Sequence, residues 1–206
     1  LKSLYGISNY PTGIIDGMTE VRNYSSIDYT ASLALAAAEL TEDTFETVTS
    51  AGWVSEIIDK KIKVSLTAYV KEPGEYKITA LVVEDDYVAP QAHYQYGSYV
   101  DNYIHNGLPK QALSPIEGEN FSTTSANETV KFTYIADLPA GLADNMRVVV
   151  YIQRPLGEYE YLATYDYGGY FVDNSMTAKL GTTHSIDFTD SGNTEDITQG
   201  DDIDIR

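Results

Sequence analysis

The sequence predicts a mainly β protein: an antiparallel β-sandwich over residues 46–190, preceded by a strand-and-helix segment and followed by an acidic tail. Three observations lead to this fold class. Apolar and polar residues alternate with the two-residue period of a β-strand in several short stretches. Turns rich in Gly, Pro and Asp separate these stretches, as in antiparallel sandwiches and barrels. The three-and-four spacing typical of a helix is convincing only in residues 26–40.

The front segment, residues 1–45, predicts one short strand and one helix. Pro11 cannot donate a hydrogen bond to a strand ladder, so it marks the place where a strand begins. Residues 12–15 suit that strand, and Asp16-Gly17 is a hairpin-turn signal. Ala and Leu dominate residues 26–40, which favours a helix.

The most regular alternation lies in residues 61–71, where one face carries only apolar side chains, as expected of a half-buried strand. A Pro-Gly turn separates it from residues 76–84, so the two stretches predict a hairpin. Residues 146–153 are apolar on both faces, which indicates a central strand. Further strands are predicted at residues 44–58, 130–135, 159–165 and 177–188. Residues 86–128 predict a long aromatic loop, and residues 191–206 an acidic, extended tail.

The charge and the absent cysteines exclude several classes of function. Asp and Glu number 31 against 13 Lys and Arg, which gives a formal net charge of −18. Such a surface repels phosphate backbones and anionic lipid headgroups, so we expect no nucleic-acid partner and no electrostatic membrane attachment. Without Cys, this chain holds no disulfide, no thiol nucleophile and no Cys-ligated zinc.

No constellation in the sequence indicates an enzyme. His93, His105 and His184 lie far apart and lack the close spacing of metal ligands. No Gly-x-Ser-x-Gly motif supports a nucleophilic serine. We therefore expect no catalytic residue, no cofactor and no metal site, with the reservation that the acidic tail offers oxygen ligands for a loosely held Ca²⁺.

Tyrosine is the residue type that points to binding, since the chain holds 18 Tyr and only 5 Phe. Tyrosine offers a flat apolar surface with a polar tip, which suits recognition of protein or sugar. The alternative is that these rings pack along a long connection. The candidate ligand-binding residues are Tyr94, Tyr96, Tyr99, Tyr103 and His105 in one cluster, and Tyr167 and Tyr170 in a second.

Two parts of the chain carry a resemblance to known families. Tyr10-Pro11-Thr12 and the residues up to Gly17 resemble the loop and strand after the active site of thioredoxin-like folds, which makes Pro11 a cis-proline candidate. The second part is the stretch from Ile62 onward, with the pieces Leu81–Asp85, Gln91, Tyr103–Asn106, Gly118, Phe132–Tyr134, Val148–Val150 and Tyr170–Asn174. In the order and spacing of these pieces it resembles the C-terminal part of the Omp28-related outer membrane proteins of Bacteroidetes.

This resemblance implies an exported protein, often a lipoprotein, with a thioredoxin-like half before a β-sandwich half. The region where a Cys-x-x-Cys pair would lie is not in this chain, so we expect a piece of a longer precursor. The leading hypothesis is a non-catalytic interaction domain at the outer membrane, on its surface or periplasmic face, that binds protein or glycan through Tyr-rich loops. Any membrane association would come from an upstream lipid anchor. The alternatives are a β appendage of a thiol-disulfide redox protein and a structural module of an outer-membrane assembly.

Overall fold

The computed structural model describes residues 12–15, 19–22, 46–93, 98–139, 144–157 and 169–186. Within these ranges the chain forms thirteen β-strands and no α-helix, and every strand pair is antiparallel. The predicted mainly β fold class is therefore confirmed. Several predictions lie outside the described residues: Pro11, the Asp16-Gly17 turn, the helix at 26–40, the strand at 159–165 and the acidic tail at 191–206.

A short hairpin lies near the front of the chain. It consists of β1 (Thr12–Ile15) and β2 (Thr19–Arg22), which pair with Thr12 opposite Arg22. The strand predicted after Pro11 is therefore present.

Sheet 1 contains four strands in the order β10–β4–β3–β13. They are β3 (Thr49–Ile58), β4 (Lys61–Val70), β10 (Glu128–Asp137) and the short β13 (Thr183–His184). A two-residue turn with positive φ at both positions joins β3 to β4, a geometry that matches the twist of the flanking strands. Along β4, buried residues alternate with exposed or partly exposed ones, which confirms the predicted alternation.

Sheet 2 is built around β5 (Gly74–Glu84) and β11 (Met146–Pro155), which pair with each other. The outer edge of β11 pairs with β12 (Tyr170–Lys179), so β11 is central, as predicted. The outer edge of β5 is shared by β8 (Leu108–Ala112) and β9 (Glu119–Thr123). Between them, Ser114 Oγ accepts a hydrogen bond from the Ala80 amide at 3.0 Å, so the edge of β5 is satisfied there too.

The two sheets face each other and share one hydrophobic core, as in a β-sandwich. Trp53 is its largest fully buried side chain. Because the side chains of a strand alternate between faces, Val148 and Val150 point inward with 0% exposure, whereas Val149 lies on the outer face and is partly exposed. The other large aliphatic side chains that are fully buried are Val48, Ile62, Val64, Leu66, Val70, Ile78, Val82 and Ile152.

Side chains of β12 cover the first residues of β3 on the side that faces away from β4. The β11–β12 register shifts so that Asp173 has no partner in β11, and this bulge lets both Asp173 and Asn174 reach sheet 1. Asp173 Oδ2 accepts the Thr49 amide at 2.9 Å, and Asn174 Nδ2 donates to the Thr49 carbonyl oxygen at 2.7 Å. The Ala51 amide donates to Met176 Sδ at 3.1 Å. Backbone groups that β13 does not pair are thereby satisfied.

Asp173 is also part of a buried ion pair. Its Oδ1 lies 2.9 Å from Nε of Arg154, with the two side chains 0% and 14% exposed. Burial raises the pKa of the Asp173 carboxyl, while the hydrogen bond from Thr49 and the charge of Arg154 act in the opposite direction. Arg154 also donates to the Glu46 carbonyl oxygen at 2.8 Å. This pair holds sheet 2 against the start of β3.

The predicted loop at residues 86–128 is wrong. The segment forms β6 (Tyr87–His93), β7 (Ser98–His105), β8 and β9. Its Tyr and Val residues favour strands, whereas Asn106-Gly107 and the stretch from Ser114 to Gly118 mark breaks between short strands rather than one continuous loop. The strand predicted at 177–188 is divided between two strands. Its first residues end β12, which starts at Tyr170, and Thr183–His184 form β13 beyond Gly181, whose φ is +85°.

Candidate functional site

A two-stranded arm projects from the end of β5 and carries most of the predicted binding residues. We define the arm as Tyr87–His105, the hairpin of β6 and β7. Among the described residues, the arm strands pair only with each other and join neither main sheet. Tyr94 and Tyr96 lie outside the described residues. The structure places Tyr99, Tyr103 and His105 on one strand, β7, rather than on a loop.

One face of the arm, the ring face, consists of Tyr87, Tyr103 and His105. Tyr87 and His105 are directly opposite each other, and Tyr103 lies one pleat further along β7, so all three point the same way. The imidazole of His105 lies edge-on to Tyr103 with a centroid distance of 4.9 Å, and 6.4 Å from the ring of Tyr87. The result is a semi-exposed aromatic surface with an imidazole at its centre.

The opposite face, the aliphatic face, consists of Val88, Tyr99 and Ile104. Val88 and Ile104 are cross-strand partners, and Tyr99 pairs with Ala92 beyond a bulge in β7. These side chains are 56%, 70% and 54% exposed for Val88, Tyr99 and Ile104. Large apolar side chains that are this exposed to solvent on both faces of a strand pair are typical of a surface that contacts another molecule.

The base of the arm is fixed to the sandwich by Asp85. Its carboxylate receives two hydrogen bonds from Arg147 on β11, from Nε at 2.6 Å and from Nη2 at 3.1 Å. The amide of Gly107 donates to the same carboxylate at 2.7 Å. The hydrogen bonds from Arg147 and Gly107 lower the pKa of Asp85, so it remains ionised at neutral pH.

A second set of contacts fixes the arm from β8. Lys110 Nζ lies 2.6 Å from Glu84 Oε2, whose side chain is only 9% exposed. The same ammonium group lies over the ring of Tyr87, 4.1 Å from its centroid, within cation–π range. Asn106 Oδ1 accepts the Asp86 amide at 2.9 Å across the hairpin base. The arm thus leaves the sandwich in a defined direction.

The arm is acidic as well as apolar. No Lys or Arg occurs between Lys77 and Lys110, whereas Asp101 is exposed on the arm and Asp86 is exposed at its base. Together with the formal net charge of −18, this creates a negative potential around its apolar faces. A partner with basic groups around an apolar patch would complement this surface.

The second predicted cluster does not join the arm. Tyr170 lies beside Lys77, whose Nζ is 3.8 Å from the ring centroid, near the end of β5 remote from the arm. Tyr167 lies outside the described residues. The side chain of His184 lies against Trp53 in sheet 1, with the ring centroids 4.3 Å apart, and not on the arm with His105. In the part of the chain that the structure describes, no three His, Asp or Glu residues are grouped to hold a metal ion.

The anchoring residues Asp85, Arg147 and Lys110 were not singled out from the sequence. Asp85-Asp86 and Asn106-Gly107 flank the arm, and turn residues on both sides of a Tyr- and Val-rich stretch are a hairpin signal. Arg147 carries no comparable local signal, because its role depends on the pairing of β11 with β5.

Comparisons with known proteins bear on this fold. The family model described as outer membrane protein Omp28 matches residues 1–158. Among solved structures, HBP35 of Porphyromonas gingivalis is similar, with a TM-score of 0.62 and 15% sequence identity. The match covers 92% of this chain but 60% of that one, and at such low identity it concerns the fold alone. A search of curated proteins finds no match. No described helix is long and apolar enough to cross a bilayer.

Proposed function

The chain belongs to the Omp28 family of outer membrane proteins, and from this premise we propose that it is a non-catalytic interaction domain whose arm binds a protein partner. The outer membrane is where the family places it. The proposal adds that the arm acts at the surface or periplasmic face of that membrane.

The observation that carries the proposal is the exposure of apolar side chains on both faces of a firmly anchored hairpin. A two-stranded hairpin alone is marginally stable in water, because it buries little apolar surface. Here Asp85, Lys110 and their partners hold its base in place. An anchored element loses little conformational entropy on binding, so its apolar contacts contribute more fully to affinity.

The aliphatic face favours protein over glycan as the partner. Sugars stack on aromatic rings, whereas the half-exposed branched side chains of Val88 and Ile104 need an apolar surface to cover them. The ring face, with Tyr87 and Tyr103 beside His105, is the part that would suit a sugar. A glycan is therefore the second candidate, and it would use the opposite face of the same arm.

Site-specific photo-crosslinking in outer membrane fractions tests the proposal. A photoreactive residue at position 99 should yield a discrete protein adduct, and Val88→Ser with Ile104→Ser should abolish it. The matched control is Ile57→Ser with Ile58→Ser, which also removes two exposed aliphatic groups, but at the end of β3. This control should leave the adduct intact.

The outcomes separate the two candidates. Equal loss of the adduct in both double variants, or no discrete adduct at all, would contradict protein binding by the arm. Binding of purified envelope polysaccharide that is lost with Tyr103→Ala, but kept with the Val88 and Ile104 changes, would instead assign the arm to a glycan.

A further inference from the structure

β10 and β12 are the two ten-residue edge strands of the described part of the sandwich, and the outer side of neither pairs with a described strand. β12 carries a bulge at Asp173 and directs side chains into sheet 1, whereas β10 is regular. The edge of β3 is covered by β13 and by side chains of β12, and that of β5 by β8, Ser114 and β9. β10 is an edge strand that pairs with β4 over its full ten residues without a bulge. No described residue pairs with its other side. Such an edge is a template for a further strand.

The hydrogen bonds between β10 and β4 show which backbone groups of β10 point away from β4. The Leu138 amide donates to the Lys60 carbonyl oxygen at 2.9 Å, so even-numbered residues of β10 direct their backbone groups toward β4. The odd-numbered residues therefore direct their N–H and C=O groups outward. Lys131, Thr133, Ile135 and Asp137 belong to this set, and Ile135 is 61% exposed.

Contacts with sheet 2 of the same chain also hold β10 in place, without any added strand. Phe132 lies edge-on to Phe121 of β9 with a centroid distance of 5.5 Å. The hydroxyl of Tyr134 donates to Glu119 Oε2 at 2.9 Å, which ties β10 to sheet 2. A pre-ordered edge lowers the entropy that strand addition has to overcome.

We propose that β10 pairs antiparallel with β10 of a second copy of this chain, about a two-fold axis at Tyr134, so that two four-stranded sheets become one. Only registers that match odd residues with odd residues keep the core faces aligned and bring outward backbone groups together. Among them, the register centred on Tyr134 places Lys131 opposite Asp137 of the second copy. The same contact occurs twice because the pairing is symmetric.

The charges on β10 favour this register, since no other register places Lys131 opposite Asp137 of the second copy. Centring the pair on Lys131 or Asp137 would oppose like charges, which is destabilising for directly facing residues. In the proposed register, Asp137 lies between Lys61 of its own chain, whose Nζ is 2.8 Å away, and Lys131 of the second copy. Long-range repulsion between chains of net charge −18 works against association, but it is screened beyond about 8 Å at physiological salt.

Sedimentation analysis of charge-reversal variants of the full chain tests the pairing. The unaltered chain should show a reversible monomer–dimer equilibrium at physiological salt. Lys131→Asp should raise the dimer dissociation constant about tenfold, because it creates two like-charge contacts. Combining it with Asp137→Lys should restore the original value. Lys63→Asp, on the same sheet face but away from the edge, changes the net charge equally and should have little effect.

Cysteine crosslinking tests the register itself, since the chain has no other Cys. Thr133 would face Ile135 of the second copy at about 5.5 Å between Cα atoms, within disulfide range. A mixture of Thr133→Cys and Ile135→Cys chains should form a mixed disulfide dimer that neither variant forms alone. A chain that stays monomeric up to millimolar concentration, an equal effect of Lys63→Asp and Lys131→Asp, or a failed double reversal would overturn the proposal.

Discussion

Oγ1 of Thr49 lies 2.6 Å from Oδ2 of Asp173, although 124 residues separate the two in the chain. The hydroxyl and the amide of Thr49 both donate to this carboxylate, and Arg154 supplies the countercharge. This contact joins the first strand of sheet 1 to the last strand of sheet 2. The stability of the sandwich should therefore depend strongly on a single buried carboxylate.

Asp173→Ala should lower the free energy of unfolding by about 3–5 kcal/mol, because it leaves the guanidinium of Arg154 buried without its countercharge. Urea denaturation measures this directly. Glu56→Ala is the control, since Glu56 faces Lys63 in an exposed pair at 3.9 Å and should cost less than about 1 kcal/mol. Equal effects of the two changes would argue against a structural role for the buried pair.

Val150→Asp should unfold the protein, whereas Val149→Asp should leave a folded chain. The side chain of Val150 is fully buried, so an unpaired carboxylate there costs on the order of 4 kcal/mol or more. Val149 lies on the outer face of sheet 2, where a carboxylate keeps contact with water. Circular dichroism and thermal melting distinguish the two, and a folded Val150→Asp variant would be inconsistent with the assigned faces of β11.

Acid should loosen the contact between the arm and the sandwich. The pKa of Asp85 in the folded state is lowered, above all by the hydrogen bond from Arg147. The stabilisation by this group is therefore present above its unfolded pKa near 4 and is lost as the pH falls through the lower folded value. Amide hydrogen exchange should show loss of protection in β6 and β7 at low pH, and Asp85→Asn should show the same loss at neutral pH. Unchanged protection in Asp85→Asn would mean that other contacts fix the arm.

Tyr134 should resist ionisation at alkaline pH. Burial, together with the hydrogen bond to Glu119, raises the pKa of its hydroxyl well above the usual 10. A group whose folded pKa is raised contributes stability that is present below its unfolded pKa and lost as the pH rises above that value. Tyr134→Phe should therefore not change the phenolate absorbance of the folded protein near pH 11. In concentrated guanidinium chloride, the same variant should lose the absorbance of one tyrosine; a loss in the folded state would show that the hydroxyl titrates normally.

Local periodicity was enough to predict the central strands. β4, β5 and β11 each carry an alternating or continuous apolar pattern, and burial in the structure follows it. The pattern did not predict β6 to β9, because their short strands mix Tyr with Asn, Gln and Pro and resemble a loop in composition. Sequence alone also did not separate the two faces of the arm, since the bulge in β7 decides where Tyr99 points.

The sequence predicted only part of the candidate site, because local composition does not show which distant residues meet. A Tyr-rich cluster near residues 94–105 followed from composition, and Tyr99, Tyr103 and His105 do share one hairpin. The anchors were not predicted, because Asp85 and Arg147 meet only once β5 and β11 have paired. Likewise, the role of Asp173 follows from a bulge that no local pattern in β12 reveals.

The side chains of β12 that bind the free edge of β3 have a consequence for the order in which the chain folds. The groups that complete this edge come from residues 173–176, some 124 or 125 positions after their partners. During synthesis or export, β3 and β4 can form their hairpin early, but one side of β3 stays open until nearly the whole sandwich has emerged. Closure over such a separation is slow compared with local pairing. A nascent chain halted before β12 would therefore present an unprotected strand, the state in which misassembly is most expected.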